Sequence, residues 1–127
     1  EFFESYNYLS GYEMLSKFYT YLFKRQPEIN FIGCFMNNIM LEMGIVNNSI
    51  GTAASKVYDN FIYDIDPVVK KAQHENDFTC SISSKKITEI LQSSYYGILT
   101  RVQSSKNNEQ GISLINILLN SFRLNSN

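Results

Sequence analysis

The chain has 127 residues, 44% of them hydrophobic and 18% charged, with a formal net charge of −1 at pH 7. That is one domain's length in a globular composition, which excludes a disordered tail, and the charge excludes a basic nucleic-acid footprint. No apolar run reaches the roughly 18 residues of a membrane span, no stretch reads as a secretory leader, and Cys34 and Cys80 are too few for a disulfide framework.

A reduced, cytoplasmic setting with no membrane contact is therefore expected. Gly and Pro are scarce, 6 and 2 residues, whereas a β-rich fold needs frequent turns. The expected fold class is all-α: a single domain over 1–127, a bundle of about five helices read from its periodicity. The chain opens at Glu1 within an aromatic segment, Phe2, Phe3, Tyr6 and Tyr8, and reads as a fragment.

In the first segment Tyr8, Tyr12, Leu15, Tyr19 and Leu22 recur at four- and three-residue steps, predicting a helix to about Arg25, stopped by Pro27. The apolar stretch 31–46 is ambiguous by period; its Met and Leu content and its length favour helix. Asn47, Asn48 and Ser49 can cap the next helix, whose stripe is Ile50, Ala54, Val57, Phe61, Ile65, Val68 and Ala72. Because that stripe keeps its phase across Pro67, a continuous, kinked helix is expected there. The polar link 76–83 follows. Ser83 or Ser84 then caps a strongly amphipathic helix bearing Ile87, Ile90, Leu91, Ser94, Tyr95, Ile98, Leu99 and Val102. Asn107 and Gln110 have capping-box spacing ahead of the last helix, and the tail from Leu124 is expected to fray.

That last helix is apolar on more than one side. Ile112, Ile115, Leu119 and Phe122 form one stripe, and Leu114, Ile117 and Leu118 form a second. A surface helix needs a stripe of only about 100°, so the excess calls for a cover. The preceding helix adds a line of small residues, Ser93, Gly97 and Thr100, that would admit a close neighbour. The last two helices are therefore expected to form a subunit interface through Ser93, Gly97, Thr100, Leu114, Ile115, Ile117, Leu118 and Phe122, giving a homodimer.

Few residues suit catalysis, and no enzyme is expected. His74, the single histidine, lies among Lys70, Lys71, Gln73 and Glu75 and reads as a surface residue. One histidine does not build a metal cluster or a His-based triad as well as its partners. Asp64 and Asp66 point to different helix faces, and Gly33, Gly44 and Gly51 are isolated, so neither a carboxylate pair nor a phosphate loop is read. No metal and no cofactor is expected. The basic doublets Lys24–Arg25 and Lys70–Lys71 suit helix C-termini, while Lys85–Lys86 at a helix start has no such account. The aromatic content, 14% and without Trp, is the unusual feature. Tyr12, Tyr19, Tyr58 and Tyr95 lie on inward stripes, where an unpartnered hydroxyl costs on the order of 1–3 kcal/mol; a polar-lined cavity would relieve them.

The run 33–43, Gly-Cys-Phe-Met-Asn-Asn-Ile-Met-Leu-Glu-Met, resembles the Gly-Cys-apolar-apolar-x-Asn-x-x-x-Glu segment in the C-terminal domains of tetracycline-repressor-type (TetR family) regulators. The resemblance extends to the long helix with Val57 and Phe61, to the stretch Tyr95-Tyr96-Gly97-Ile98-Leu99-Thr100-Arg101 of the penultimate helix, and to the final apolar helix. It implies that the last two helices pair with a second copy in a four-helix bundle and that the earlier helices enclose an effector cavity. It also implies a DNA-binding helix-turn-helix N-terminal to this chain, so that DNA is met only through that absent domain. Cys34, Asn38 and Glu42 hold the motif's positions in a structural role. The effector, a small apolar or aromatic molecule, is expected between Phe18, Tyr19, Met36, Met40, Tyr58, Phe61, Tyr95 and Leu99. A ligand preferring one of two helix arrangements would release the operator by population shift. Two rival readings are a helical protein-interaction bundle and a small carrier of hydrophobic ligands.

Overall fold

A capping box at Ser10 sets the start of the first long helix. The Ser10 hydroxyl accepts from the Glu13 N–H at 3.1 Å, and the Glu13 carboxylate accepts from the Ser10 N–H at 3.2 Å. In the computed structural model, which describes residues 2–30 and 48–124, the elements are α1 (Phe2–Ser5), α2 (Gly11–Lys24), a 3-10 turn (Pro27–Ile29), α3 (Asn48–His74), α4 (Ser84–Ser105) and α5 (Asn108–Ser121). The protein is all-α. Its described residues contain no strand, only a single antiparallel bridge between Phe78 and Arg123. The expected helix over 31–46 lies outside the described residues, and with it Cys34, Met36, Asn38, Met40 and Glu42.

The expected single helix from Tyr8 is corrected to a one-turn α1, a link and α2. Tyr8 lies in the link and is exposed. The Ser10 and Glu13 spacing is the sequence signal that marks this start. α3 does run through Pro67 as one continuous helix. Proline removes the N–H that would have met the Tyr63 carbonyl, and Tyr63 lies at the surface of the helix. Ser83 caps α4, its hydroxyl accepting from the Lys86 N–H at 3.3 Å, and Asn107 caps α5, accepting from the Gln110 N–H at 3.2 Å. Between these two helices Lys106 takes the left-handed conformation, φ 57°, that ends α4.

α2 and α4 each pack against both α3 and α5, so the four long helices form a ring around one core. Leu15, Tyr19, Phe23, Ile65, Val69, Ile87, Leu91, Leu99, Ile115 and Leu119 are fully buried there. Two glycines set how closely the ring closes. A Cβ on Gly11 would stand 2.5 Å from the Ala72 backbone nitrogen, and one on Gly111 would stand 2.6 Å from the Phe23 ring. The α2–α3 crossing is further tied by Glu75, whose carboxylate accepts from the Gly11 N–H at 2.8 Å. Lys71 donates to the carbonyls of Asn7 and Leu9 at 2.8 and 2.6 Å, holding the link between α1 and α2.

The link 76–83 is anchored more firmly than its polar composition suggests. Phe78 is fully buried, and Gln73 donates to the carbonyls of Thr79 and Ile82. Of the tail expected to fray, Leu124 is held, its N–H donating to the Asp77 carbonyl at 2.7 Å while the Phe122 carbonyl accepts from Thr79 at 2.9 Å, and 125–127 lie outside the described residues. Arg123 donates twice to the Asp77 carboxylate, at 2.8 and 3.2 Å, and its guanidinium lies 3.8 Å from the centre of the Tyr12 ring.

Candidate ligand cleft and association face

The C-terminal half of α2 directs Phe18 and Leu22 towards α3 and α4. Beyond them Pro27, which restrains its predecessor, begins the 3-10 turn that places Gln26 and Ile29 beside the same space. A cleft of about 290 Å³ results, lined by Phe18, Leu22, Arg25, Gln26, Ile29, Phe61 of α3, and Gln92, Tyr95 and Tyr96 of α4. Three of the expected ligand residues, Phe18, Phe61 and Tyr95, are brought together here. Tyr19 stands behind the wall, fully buried, with its ring 5.5 Å from Tyr95 and 5.1 Å from Phe18. Tyr58 is one ring further out, 5.8 Å from Tyr96. Leu99 belongs to the core and does not line the cleft. Met36 and Met40 lie outside the described residues.

Sequence reasoning missed the polar members, Arg25, Gln26 and Gln92, and with them Leu22, Ile29 and Tyr96. A signal existed for Gln92. It sits three and four residues before Tyr95 and Tyr96 and therefore on their face of the helix, where an apolar residue would be the ordinary choice.

The tyrosine argument for a cavity is corrected in its details. Tyr19 donates to the Gln92 carboxamide oxygen at 2.9 Å, Tyr58 pairs with the Ser93 hydroxyl at 2.9 Å, and Tyr12 donates to the Asn120 carboxamide oxygen at 3.3 Å. These hydroxyls are satisfied by the protein and do not require a cavity. What points into the cleft is the other end of Gln92, whose oxygen is occupied by Tyr19 and whose amide nitrogen donates to no described residue. Burial, and then the neighbouring Tyr95, Tyr96 and Tyr58, push the Tyr19 phenol well above its ordinary value of 10.0, so it remains a protonated donor near neutral pH.

The expected interface residues divide. Ile115 and Phe122 are buried in the chain's own core, so their side chains are not presented to a partner. Ser93 faces α3, held by Tyr58. Thr100 is exposed, with its hydroxyl on the Tyr96 carbonyl, and a Cβ on Gly97 would meet nothing within 4 Å. Leu114 and Ile117 are exposed, Ile117 to 64%, and Leu118 is half-buried. Helix geometry sets where each of these faces. Asn116 and Asn120 of α5 meet Ser16 and Tyr12 of α2, so steps of about 100° place Leu114 and Leu118 on the flank away from α2, beside α4, and turn Ile117 outward between the two flanks. On α4 the same arithmetic, taken from Ser93 and Tyr96 facing α3, places Ser94 and Ile98 on the flank beside α5, with Ile90 and Gly97 on the outward side. Ile90 is exposed and Ile98 half-buried, so an apolar surface with small residues runs along the α4–α5 side.

Lys85 of the Lys85–Lys86 doublet at the start of α4 lines a groove with Asp59, Asp66, Glu89 and Lys70, the last of which pairs with Asp66 at 3.4 Å. Comparison with models of known protein families, with curated proteins and with solved structures finds no match. Among the described residues, no helix is long and apolar enough to cross a membrane.

Proposed function

We propose that this chain is the effector-sensing and dimerising part of a TetR-like transcriptional regulator. The observation that carries the reading is the apolar α4–α5 flank. Ile90, Leu114 and Ile117 stand exposed on the last two helices, and a Cβ on Gly97 would meet nothing within 4 Å, a surface through which two copies would form a four-helix bundle. The resemblance of the run 33–43 supports the same reading from the sequence. The aromatic cleft between α2, α3 and α4 supplies the effector site. A small apolar or aromatic effector seated there favours one arrangement of α2 against α3 and α4. The operator is bound by a part of the regulator outside these 127 residues and is released when that arrangement is favoured. The shift requires unequal affinity for the two arrangements.

The test is the solution mass of the chain at micromolar concentration, by light scattering behind a sizing column. A mass near twice 14.7 kDa is expected. The double substitution Leu114→Glu with Ile117→Glu should return it to the monomer mass while circular dichroism stays unchanged, since both side chains lie outside the core. A monomeric wild-type chain would overturn the dimer reading and favour a carrier of hydrophobic ligands. That second reading has its own observation: among the described residues the cleft is lined by α2, the 3-10 turn, α3 and α4 and takes nothing from α5.

A further inference from the structure

We infer that the cleft takes a flat aromatic molecule carrying a carboxylate, with the carboxylate oxygen accepting from the Gln92 amide and the rings held between aromatic walls. The inference rests on the reading of this cleft as an effector site and names the ligand's chemistry. Three observations carry it. Gln92 is 2% exposed, yet lines the cleft with an amide nitrogen that donates to no described residue. Its orientation is fixed, because the Tyr19 hydroxyl donates to the carboxamide oxygen at 2.9 Å, which leaves the N–H groups as the free end. Among the described residues the sealed polar atom without a partner is Asp66 Oδ1, so the Gln92 amide nitrogen opens onto the cleft, where a ligand oxygen can accept from it.

The walls define the remainder of the ligand. Phe18, Phe61, Tyr95 and Tyr96 offer ring faces and edges, and Tyr95 and Tyr96 stand 5.6 Å apart at 46°. Such surfaces pack a planar ring system better than a flexible chain. A volume of about 290 Å³ suits one or two fused rings. The sign of the ligand follows from Arg25. It is the cleft's only charged residue among those described, is exposed, and lies 5.8 Å over the Tyr21 ring. A cation with no carboxylate beside it in the cleft favours an anion over a neutral or cationic molecule of the same shape.

The experiment is calorimetric titration of the full chain with three probes of one shape: 2-naphthoate, 2-methylnaphthalene and 2-naphthylmethylammonium. Wild type should bind 2-naphthoate at least about tenfold more tightly than the neutral probe, the size of one charge-assisted hydrogen bond, and the cation least tightly. Gln92→Leu should weaken 2-naphthoate about tenfold and leave the neutral probe unchanged. Gln92→Glu should reverse the order in favour of the cation. Equal affinity of wild type for all three probes would overturn the carboxylate inference while leaving an apolar effector site standing. Failure of every probe to bind would remove the cleft as an effector site and the inference with it. The wild-type comparison does not depend on any variant folding.

Discussion

Gln92 and Tyr19 show how one side chain sets the properties of another. Tyr19→Phe keeps the ring but removes the donor to a buried oxygen, and urea denaturation should record a loss of about 1 kcal/mol. The same pair predicts a pH dependence. The Tyr19 pKa is raised in the folded chain, so its contribution is fully present below about pH 10, where the unfolded phenol titrates, and declines above it as only the unfolded state loses the proton. Stability measured between pH 9 and pH 11 should therefore fall more steeply for wild type than for Tyr19→Phe. Glycines give a second residue-scale contrast. Gly11→Ala should cost about 1–3 kcal/mol, because the new methyl meets backbone atoms of α3 that cannot move aside. At Gly97, where nothing lies within 4 Å, the same change in the monomeric Leu114→Glu/Ile117→Glu background should stabilise by about 0.5–1 kcal/mol through helix propensity alone. Both differences are read from the denaturation midpoint.

Among the elements, α3 carries a proline that its packing tolerates and its backbone does not favour. Pro67→Ala restores an N–H for the Tyr63 carbonyl and should raise stability by up to about 3 kcal/mol, with a matching rise in the thermal midpoint. The chain's C-terminal end behaves in the opposite sense. Asp77 and Arg123 join the α3–α4 link to the residues after α5, partly exposed at 18% and 35%, so the pair is worth only about 1 kcal/mol. Its more local effect is on the tail. Asp77→Ala should speed amide exchange at Leu124 and Thr79 well beyond the change in global stability, as measured by hydrogen exchange.

For the whole molecule, the two faces of α5 separate stability from association. Ile115→Ala removes a fully buried side chain and should cost about 2–5 kcal/mol of folding free energy. Ile117→Ala should change the stability of the monomer by no more than about 0.5 kcal/mol and, if two copies pair on this flank, weaken the dimer in sedimentation equilibrium. One helix thus tests the core and the proposed interface independently.

Helix class and most of the helix stripes were legible in the sequence because they depend on local period and caps: the α4 stripe from Ile87 to Val102, the caps at Ser83 and Asn107, and the phase carried through Pro67. The break at Ser10 was legible too, in its spacing to Glu13, but a run of aromatics at helical intervals imitated one longer helix. Phe61 and Tyr95 could be placed near one another because each lies on an apolar stripe, and Phe18 adjoins Tyr19 of another. Which side of a stripe meets which neighbour is a different kind of fact. Ile115 and Ile117 are both apolar and two residues apart, and only the position of α2, fixed by Asn116 and Asn120, sends the first into the core and leaves the second outside. Likewise no local rule joins Gln92 to Tyr19 across 73 residues, or Asp77 to Arg123 across 46. Periodicity is written into each helix by its own residues, whereas partners, burial and the free end of a buried amide depend on how the helices are arranged around one another, which the tertiary structure alone decides.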